Sequence, residues 1–404
     1  MKILMLTPYL PYPDSSGGQI RTQNLLKHLK KKHDITLVSL IKDPAETQYI
    51  PILEKKFCKK VKVFRRSQKP FTLRNIIKTG FSLQPFLIVR NFSPEAQKGI
   101  AYELANNNYD LIHVETFYAM PHIPSGTQIP VVLVDQTIEF KVYQHYVKET
   151  APLPLRPLMN IDVIKLKHWE RFYWRHADRV IAVSDKDRAE MITLEPDLQV
   201  DIIPNGVNLD FFKKKTNWET KTPTILFVGN FYWLQNTEAA QTLINKILPL
   251  VKKKLPKAKV WIVGQHQPES LKSLASDSVL ISDIAEDDTE SIVRAYHEAD
   301  VFCTPLKGPG GTRLKNLAAM ASQLPIVSSS VGMAGLGVDP DKHAVIADKP
   351  QAMANAIIDL INNPKEAEKI AQASRLYVEQ NFGYNVIADK LSQIYQQVAN
   401  KKTP

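Results

Sequence analysis

The sequence predicts an α/β fold made of two mostly parallel sheets, each with helices on both faces. Short apolar, β-rich runs alternate with helical stretches along the whole chain, which is the pattern of parallel sheets buried on both sides. The pattern occurs twice, on either side of a segment rich in turn formers and lysine at 204–222. A length of 404 residues also exceeds one ordinary core and favours two domains.

The first half begins with a strand at 2–7, the turn PYLPYPDSSGG and a helix over about 19–31. Its other predicted strands are 35–40, 109–114, 131–134 and 179–183, with helices at 94–107 and 163–176. The second half has predicted strands at 224–228, 260–263, 279–281, 301–304, 325–328 and 344–346, and predicted helices at 236–254, 288–298, 313–322, 350–362, 364–379 and 384–399. Open α/β sheets bind ligands at the carboxyl ends of their strands, so we expect the chemistry in those loops.

Composition narrows the class of protein. Hydrophobic content of 44% and charged content of 23% are ordinary for a globular protein. Cys58 and Cys303 form neither a disulfide framework nor a metal-ligand cluster, which favours a reducing cytoplasm. The N-terminus reads as a core strand rather than a signal peptide, and no apolar run reaches the roughly 18–20 residues that span a bilayer.

The net charge of +11 is concentrated in one stretch, 54–90, which holds eleven basic residues and a single acidic one, Glu54. Its second half, KPFTLRNIIKTGFSLQPF, interleaves cations with apolar residues. Two interpretations stay open: a peripheral contact with an anionic membrane surface, or a solvated basic face above a buried helix stripe. No recognised nucleic-acid-binding motif is present.

Residues 305–336, PLKGPGGTRLKNLAAMASQLPIVSSSVGMAGL, contain the most informative motif. Gly308, Gly310 and Gly311 allow the backbone to approach a ligand closely, and Arg313 and Lys315 place charge at the start of the next helix. This combination suits a diphosphate. Neither half has GxGxxG after its first strand and no Walker loop occurs, which argues against a nicotinamide-dependent enzyme.

These segments resemble glycosyltransferase family 4, in the bacterial exopolysaccharide and surface-glycan branch. The resemblance covers nearly all of the chain and rests on PYLPYPDSSGGQIRTQNLLKHL, on ADRVIAVSDKD followed by IPNGVNLDFF, on ILFVGNFYWLQNTEAA and on 305–336. It implies the GT-B fold, with two Rossmann-like domains facing a central cleft and a C-terminal helix that crosses back. We therefore expect an N-terminal acceptor-side domain at 1–205, a nucleotide-sugar-binding domain at 206–382 and the returning helix at 383–404.

The resemblance implies retaining transfer of a sugar from a UDP- or GDP-linked donor to a glycan or lipid-linked acceptor, without a metal or other cofactor. Cations and N–H groups that meet charge as it develops are usually the largest catalytic contribution. The catalytic candidates are Arg313 and Lys315. The donor-binding candidates are Gly17, Gly18, Arg21, Gly229, Asn230, Ile284, Gly310, Gly311 and Thr312, and the acceptor-binding candidates are Glu115, Gln136 and Glu139.

Two positions depart from the family pattern. Ala318 occupies the place of a glutamate that holds the donor ribose in the family. A hydrogen bond to a charged group is worth about 1.5–3 kcal/mol, so its loss is expected to weaken donor binding by one to two orders of magnitude. Gln136 replaces a histidine and cannot accept a proton near neutral pH. A degenerate member that binds nucleotide or glycan without turnover is therefore the alternative, and a UDP-sugar epimerase on the same fold is a third, weaker one.

Overall fold

The computed structural model describes residues 1–13, 16–69, 71–149, 151–218, 220, 222–285, 288–308 and 314–401. The chain forms two compact units. Unit 1 comprises Met1–Pro204 together with Ile387–Pro404, and unit 2 comprises Asn205–Val386. The last helix therefore begins in unit 2 and belongs to unit 1 from Ile387 onward.

Unit 1 contains a parallel sheet of seven strands among its described residues, in the order β3-β2-β1-β4-β5-β6-β7. The strands are β1 (Lys2–Thr7), β2 (Asp34–Ile41), β3 (Lys60–Arg65), β4 (Leu111–Glu115), β5 (Val131–Asp135), β6 (Arg179–Ala182) and β7 (Val200–Ile202). The helices are α1 (Gly17–Leu29), α2 (Ile50–Lys56), α3 (Leu73–Phe81), α4 (Phe86–Asn91), α5 (Pro94–Asn106), α6 (Glu139–Glu149), α7 (Arg156–His176) and α8 (Asp185–Leu194), with 3₁₀ turns at Pro44–Tyr49, Phe117–His122 and Leu153–Leu155.

Unit 2 contains a parallel sheet of six strands among its described residues, in the order β10-β9-β8-β11-β12-β13. The strands are β8 (Thr224–Asn230), β9 (Lys259–Gln265), β10 (Val279–Asp283), β11 (Val301–Thr304), β12 (Ile326–Ser328) and β13 (Val345–Ile346). The helices are α9 (Leu234–Thr242), which continues through a π-helical turn at Leu243–Ile247 into α10 (Leu248–Lys252), then α11 (Glu269–Lys272), α12 (Thr289–Glu298), α13 (Leu314–Ala321), α14 (Ser330–Met333), α15 (Pro350–Asn362), α16 (Pro364–Asn381) and α17 (Tyr384–Lys401).

Alternation along the strands explains why both faces of each sheet are buried. In β8, Ile225 and Phe227 join one core cluster, whereas Leu226 and Val228 join another on the opposite face. Successive side chains of a strand point to opposite faces, so a continuous apolar run needs helices on both sides. The predicted two-sheet α/β fold is confirmed.

Sequence patterns missed β3, which lies inside the basic stretch. The strand KVKVFR alternates lysine with apolar residues and forms an edge of the unit 1 sheet. Lys60 and Lys62 form ion pairs with the buried Glu103 of α5, and charged side chains on an edge strand are a common device against further strand pairing. This part of the basic stretch is therefore integral to the sheet.

Helix α3 has its apolar residues on the outside. Leu73, Ile76, Ile77 and Phe81 are exposed, while Asn75 is the buried residue of the helix. The alternative of a buried helix stripe does not describe α3, because the face that packs inward is the polar one.

Candidate active site

The strand order of unit 1 reverses between β1 and β4, and polar residues gather at the carboxyl ends of these strands. Tyr9 follows β1, Glu115 ends β4, and Gln136 follows β5. Such a reversal is where open α/β sheets bind ligands. The corresponding reversal in unit 2 lies between β8 and β11.

A chain of hydrogen bonds connects five side chains of unit 1. The Tyr395 hydroxyl lies 2.7 Å from His113 Nδ1, and His113 Nε2 lies 3.2 Å from Glu115 Oε1. Gln136 Nε2 donates to Glu115 Oε2 at 2.8 Å and to the Tyr9 hydroxyl at 3.2 Å. We call these five residues the unit 1 polar chain. It runs from the C-terminal helix α17 across β4 to the loop after β1.

Glu115 determines the orientation of its neighbours in the unit 1 polar chain. Burial alone would raise its pKa, but hydrogen bonding and charge from His113, with further contributions from Arg21 and Gln136, lower the pKa below its ordinary value. An ionised carboxylate only accepts hydrogen bonds, so His113 Nε2 and the Gln136 amide nitrogen must both donate to it. The amide oxygen of Gln136 is thereby left facing Gly18, the second residue of α1.

The structure assigns Glu115 a different contact from the predicted one. The sequence suggested direct binding of acceptor hydroxyls, but the side chain is 0% exposed and both carboxylate oxygens already accept hydrogen bonds within unit 1. Glu115 is therefore placed to position Gln136, and Gln136, which is only partly buried, is the member of this pair nearest the surface.

Helix α1 begins at the predicted glycine pair. Ser16 caps the helix by accepting a hydrogen bond from the Gln19 amide, and Gly17 and Gly18 form its first turn. A Cβ at Gly18 would lie 2.5 Å from the Tyr9 hydroxyl and 3.2 Å from Gln136 Oε1. A larger residue at this position would displace these groups, so the first turn of α1 lies directly beside the unit 1 polar chain.

Arg21 differs from its prediction as a donor-binding residue. Its side chain is 0% exposed, and the guanidinium donates to the main-chain carbonyls of Pro204 at 2.7 Å and Ile203 at 2.9 Å. These bonds fix the segment after β7 to α1. The charge of Arg21 also contributes to the lowered pKa of Glu115.

Glu139 begins α6 beside two buried acids, Asp135 and Glu170. Burial raises the pKa of Glu139 to about 7, and it raises the pKa of Asp135 to about 7 as well. Asp135 accepts hydrogen bonds from the Phe117 amide and from Trp174 Nε1, and Glu170 accepts from the amides of Glu139 and Phe140. The two buried carboxyls fix the starts of two helical segments, and Glu139 is a partly buried acid that changes charge near neutral pH.

In unit 2, Lys315 is held in a defined position on α13. Its Nζ donates to Asn236 Oδ1 at 2.6 Å and lies 4.5 Å from the centre of the Phe227 ring. Asn236 in turn donates to the main-chain carbonyl of Asn230 at 2.6 Å. The ammonium group is thus anchored at the carboxyl end of β8, next to the strand reversal. A cation held over an aromatic face in this way loses little freedom when it meets an anion.

The glycines at the ends of β8 and β9 permit a close approach between these strands. Gly229 and Gly264 are register partners, and a Cβ on Gly264 would lie 1.7 Å from the Gly229 carbonyl oxygen. Asn230 uses its side chain locally, accepting from the Tyr232 amide and donating to Gln265. The amide of Ile284 donates to the Gly264 carbonyl at 3.0 Å, so this N–H is already occupied.

Four of the predicted site residues, Gly310, Gly311, Thr312 and Arg313, lie outside the described residues, and the roles assigned to them stay predictions. Ala318, one turn into α13, is described. It is 6% exposed and belongs to a core cluster of unit 2. A methyl group therefore stands where the family pattern has a carboxylate.

Sequence reasoning missed Asn236 and Tyr395, two residues that support the predicted ones. Asn236 lies near the start of α9, and its amide holds Lys315. His113 and Tyr395 support Glu115 from β4 and α17. Asn236 occurs inside the quoted run ILFVGNFYWLQNTEAA, so a polar side chain close to a strand end was available as a signal. Nothing in the sequence pairs Tyr395 with His113, because they are 282 positions apart.

Within the described residues, no group of three or more His, Cys, Asp or Glu side chains has an arrangement that could hold a metal ion.

Two family models match the chain. One, described as Glycosyltransferase Family 4, matches residues 15–211, and the other, described as Glycosyl transferases group 1, matches residues 222–363. Together they cover most of unit 1 and most of unit 2.

Relatives match over much of the chain. A Klebsiella pneumoniae protein described as an uncharacterized 44.6 kDa protein in the cps region is 23% identical over 94% of this chain and 96% of its own length. The phosphatidyl-myo-inositol mannosyltransferase of Mycobacterium leprae is 25% identical over 76% of this chain and 79% of its own length.

Solved structures share the fold. Sucrose-phosphate synthase from Thermosynechococcus elongatus superposes with a TM-score of 0.71 at 18% identity, covering 99% of this chain and 100% of that one. Anabaena HepE in complex with UDP-glucose superposes with a TM-score of 0.64 at 17% identity, covering 98% of this chain and 100% of that one. With its two parallel sheets and its two family matches, the chain belongs to glycosyltransferase family 4 and is a glycosyltransferase of the GT-B fold.

Proposed function

We propose that the protein transfers a sugar from a nucleotide-sugar donor to a glycan or lipid-linked acceptor, with retention at the anomeric carbon. The observation that carries the donor half of this proposal is the position of Lys315. Its ammonium group is anchored by Asn236 over the Phe227 ring, at the carboxyl end of β8 where ligands of such sheets bind. A diphosphate is the ligand that uses a fixed cation beside glycine-lined strand ends.

Similar proteins support a nucleotide donor. Anabaena HepE is solved in complex with UDP and with UDP-glucose, and a Corynebacterium glutamicum relative is described as a GDP-mannose-dependent mannosyltransferase. That relative is 23% identical over 48% of this chain. The donor is therefore to be tested among both UDP- and GDP-linked sugars.

The proposed chemistry needs few groups from the protein. The bond between the anomeric carbon and the diphosphate oxygen breaks, the acceptor oxygen bonds to the same carbon, and the acceptor's proton passes to the departing diphosphate. Lys315 and, from the sequence, Arg313 meet the negative charge that develops on the leaving group. Gln136 accepts a hydrogen bond from the acceptor hydroxyl through its amide oxygen, which Glu115 keeps directed toward Gly18. No protein base is required in this scheme.

The names of two relatives support the proposed acceptor class. The Mycobacterium leprae relative is named as a phosphatidyl-myo-inositol mannosyltransferase, and the Klebsiella pneumoniae relative is described as a protein in the cps region. We propose synthesis of an exopolysaccharide or related surface glycan, carried out at the cytoplasmic side of the membrane. Among the described residues, the helices are all too short or too polar to span a bilayer.

We propose that transfer needs neither a metal ion nor another cofactor. In this proposal, Lys315 and Arg313 supply the positive charge at the diphosphate. In other phosphate sites a divalent cation supplies that charge.

A second candidate function rests on Ala318 and Gln136. The buried methyl group of Ala318 supplies no carboxylate for the donor ribose, and Gln136 supplies no imidazole. A protein with the phosphate contacts alone would bind nucleotide or glycan without turnover.

Calorimetric titration with UDP and with GDP, followed by an assay of nucleoside diphosphate release from a panel of UDP- and GDP-sugars, separates the two functions. Binding together with release that depends on an added glycan or lipid-linked acceptor supports transfer. Tight binding with no release from any donor supports the second function. Absence of binding to both nucleotides contradicts the role of Lys315.

A further inference from the structure

Large apolar side chains are exposed in two segments of unit 1. Six of them lie between Phe71 and Leu83, and five lie between Leu153 and Ile164, all at least half exposed. Phe81 is 94% exposed and Leu83 is 83% exposed. Exposed apolar residues occurring singly need no explanation, but concentration in two segments marks a surface that binds something.

The two segments belong to one surface because α7 holds the end of α3. Lys165 on α7 donates to the carbonyls of Thr79 at 2.8 Å and Ser82 at 2.7 Å, which cap the carboxyl end of α3. Trp169 Nε1 donates to the Leu83 carbonyl at 2.9 Å. These bonds place Phe81 and Leu83 beside the middle of α7, where Ile164 is exposed.

The helical spacing orients both segments outward. On α3, Leu73, Ile77 and Phe81 are four residues apart and share one face. On α7, Leu158, Ile161 and Ile164 are three residues apart and cover an arc of about 120° at 3.6 residues per turn. Each helix thus has an apolar stripe as wide as the one that normally faces a core, but both stripes lie on the outside.

The charge around the stripes identifies the partner. Lys69, Arg74 and Lys78 are exposed, and no acidic residue occurs in the sequence from 65 to 86. In 151–168 the one acidic residue is Asp162, which is buried and accepts a hydrogen bond from the Phe86 amide. A surface that is both apolar and purely cationic complements the interface of a bilayer with anionic lipid headgroups.

We propose that α3 and the segment from Leu153 to Ile164 form a two-helix surface that binds anionic lipid bilayers. We call it the α3–α7 surface. It differs from the membrane contact predicted at 54–90, because Lys60 and Lys62 are committed to Glu103 and because the segment from Leu153 to Ile164 contributes five of the eleven apolar residues. The surface does not depend on the donor site, so its binding needs no nucleotide.

Vesicle flotation of the full chain tests the proposal. Phosphatidylcholine vesicles are compared with mixed phosphatidylcholine and phosphatidylglycerol vesicles, at low and high salt, with no nucleotide present. The wild type is expected to float with the mixed vesicles at low salt and to be released by high salt. Failure to bind the mixed vesicles at low salt overturns the proposal.

Paired variants test each helix. Ile77→Asp with Phe81→Asp removes the α3 stripe, and Leu158→Asp with Ile161→Asp removes the α7 stripe. Each pair should lose vesicle binding, whereas Leu280→Asp with Leu376→Asp, at exposed positions of unit 2, should retain it. Retention by the α7 pair contradicts the two-helix surface. Circular dichroism confirms that each variant is folded.

A charge pair tests the anionic requirement. Arg74→Glu with Lys78→Glu should weaken binding by at least about fivefold for each cation removed. Lys253→Glu with Lys257→Glu makes the same change in net charge on an exposed part of unit 2 and should have little effect. Equal effects of the two pairs would show that net charge alone attracts the protein, contradicting a defined surface.

Site-specific labelling distinguishes a bilayer from a second copy of the chain. Cys58 and Cys303 are buried, so a fluorophore can be attached selectively to Phe81→Cys, Leu158→Cys or the control Leu376→Cys. Vesicles should shift the emission to shorter wavelength at the first two positions only. Sedimentation velocity without vesicles tests the alternative, a second copy of the chain. If the wild type is a dimer that the apolar variants dissociate, and if vesicles do not shift the emission, the surface serves self-association and the proposal is overturned.

Discussion

The hydroxyl of Tyr395 lies 2.7 Å from His113 Nδ1, so one buried hydrogen bond connects the C-terminal helix α17 to β4. Glu115 is ionised and accepts a hydrogen bond from His113 Nε2 at 3.2 Å, so the imidazole links the tyrosine hydroxyl to the carboxylate. Tyr395 and His113 thereby support Glu115, which in turn positions Gln136.

Tyr395→Phe should destabilise unit 1. The variant leaves His113 Nδ1 buried without its hydrogen-bond partner, at a cost of about 1–3 kcal/mol in the free energy of unfolding. Urea denaturation followed by circular dichroism measures this difference. Tyr102→Phe removes an exposed hydroxyl from the same unit and should leave the free energy of unfolding unchanged. Equal stability of the two variants would show that the Tyr395 bond contributes nothing.

Gln136→Glu should make stability dependent on pH. A carboxylate in place of the Gln136 amide would face the Glu115 carboxylate, which now accepts its N–H at 2.8 Å. Like charges at this distance raise the pKa of one carboxyl, so the folded variant binds a proton that the unfolded chain has released. Stability of the variant relative to the wild type should therefore fall as pH rises.

Denaturation of Gln136→Glu at several pH values between about 5 and 8 checks this, with Gln128→Glu at an exposed position as the control. A variant whose stability loss is the same at every pH would show that the two side chains do not interact. Acceptor-dependent turnover should also fall, because the pair no longer directs an amide oxygen toward Gly18.

Lys315→Met should weaken binding of nucleoside diphosphate. A hydrogen bond from a charged group is worth about 1.5–3 kcal/mol, which corresponds to about 10–100-fold in Kd. Asn236→Ala should give a smaller loss, because it leaves the charge but removes the group that positions it. Calorimetry with UDP and GDP measures both, with Lys246→Met as the exposed control. Unaltered affinity in Lys315→Met would remove this lysine from the site.

His33 should make the wild type less stable in acid. Burial, with smaller contributions from the N-terminal amine and Lys32, lowers its pKa from 6.5 to about 4, and its Nε2 lies 2.8 Å from the Ser392 hydroxyl. The unfolded chain therefore binds a proton between about pH 6.5 and 4 that the folded chain does not, and stability falls as pH decreases through this range. This pKa change lowers the free energy of unfolding in acid by at most about 3 kcal/mol.

His33→Gln isolates this contribution from the buried acids, which act in the opposite direction. Asp135 and Glu139 have a raised pKa of about 7, so their folded forms bind protons that the unfolded chain has lost, and they lower stability as pH rises. The difference in unfolding free energy between wild type and His33→Gln should decrease from pH 7 to pH 4. A difference that does not change with pH would contradict a neutral, buried His33.

The fold was predictable because its signal is local. Apolar runs such as 301–304 reproduce the observed β11, and the helix at 350–362 matches α15. The sequence patterns did not predict β3, because lysines alternate with its apolar residues and the segment resembles a solvated charged run. The orientation of α3 was also hidden, since the spacing of Leu73, Ile77 and Phe81 is the same for a stripe that faces a core and one that faces outward.

The site was predictable only in part. Lys315 and Gln136 follow from motifs near strand ends, and both lie there in the structure. Their supporting residues depend on tertiary contacts between distant positions, as with Asn236 and Lys315 or Tyr395 and His113. The buried state of Arg21 and Glu115 also depends on such packing, which no motif encodes.

The most direct test of sugar transfer is acceptor-dependent release of nucleoside diphosphate from a panel of UDP- and GDP-sugars. We expect the wild type to release the diphosphate from at least one donor, and we expect Lys315→Met to reduce this release at subsaturating donor by about tenfold or more. Tight nucleotide binding with no release from any donor, in the presence of glycan and lipid-linked acceptors, would contradict transfer as the function of this chain.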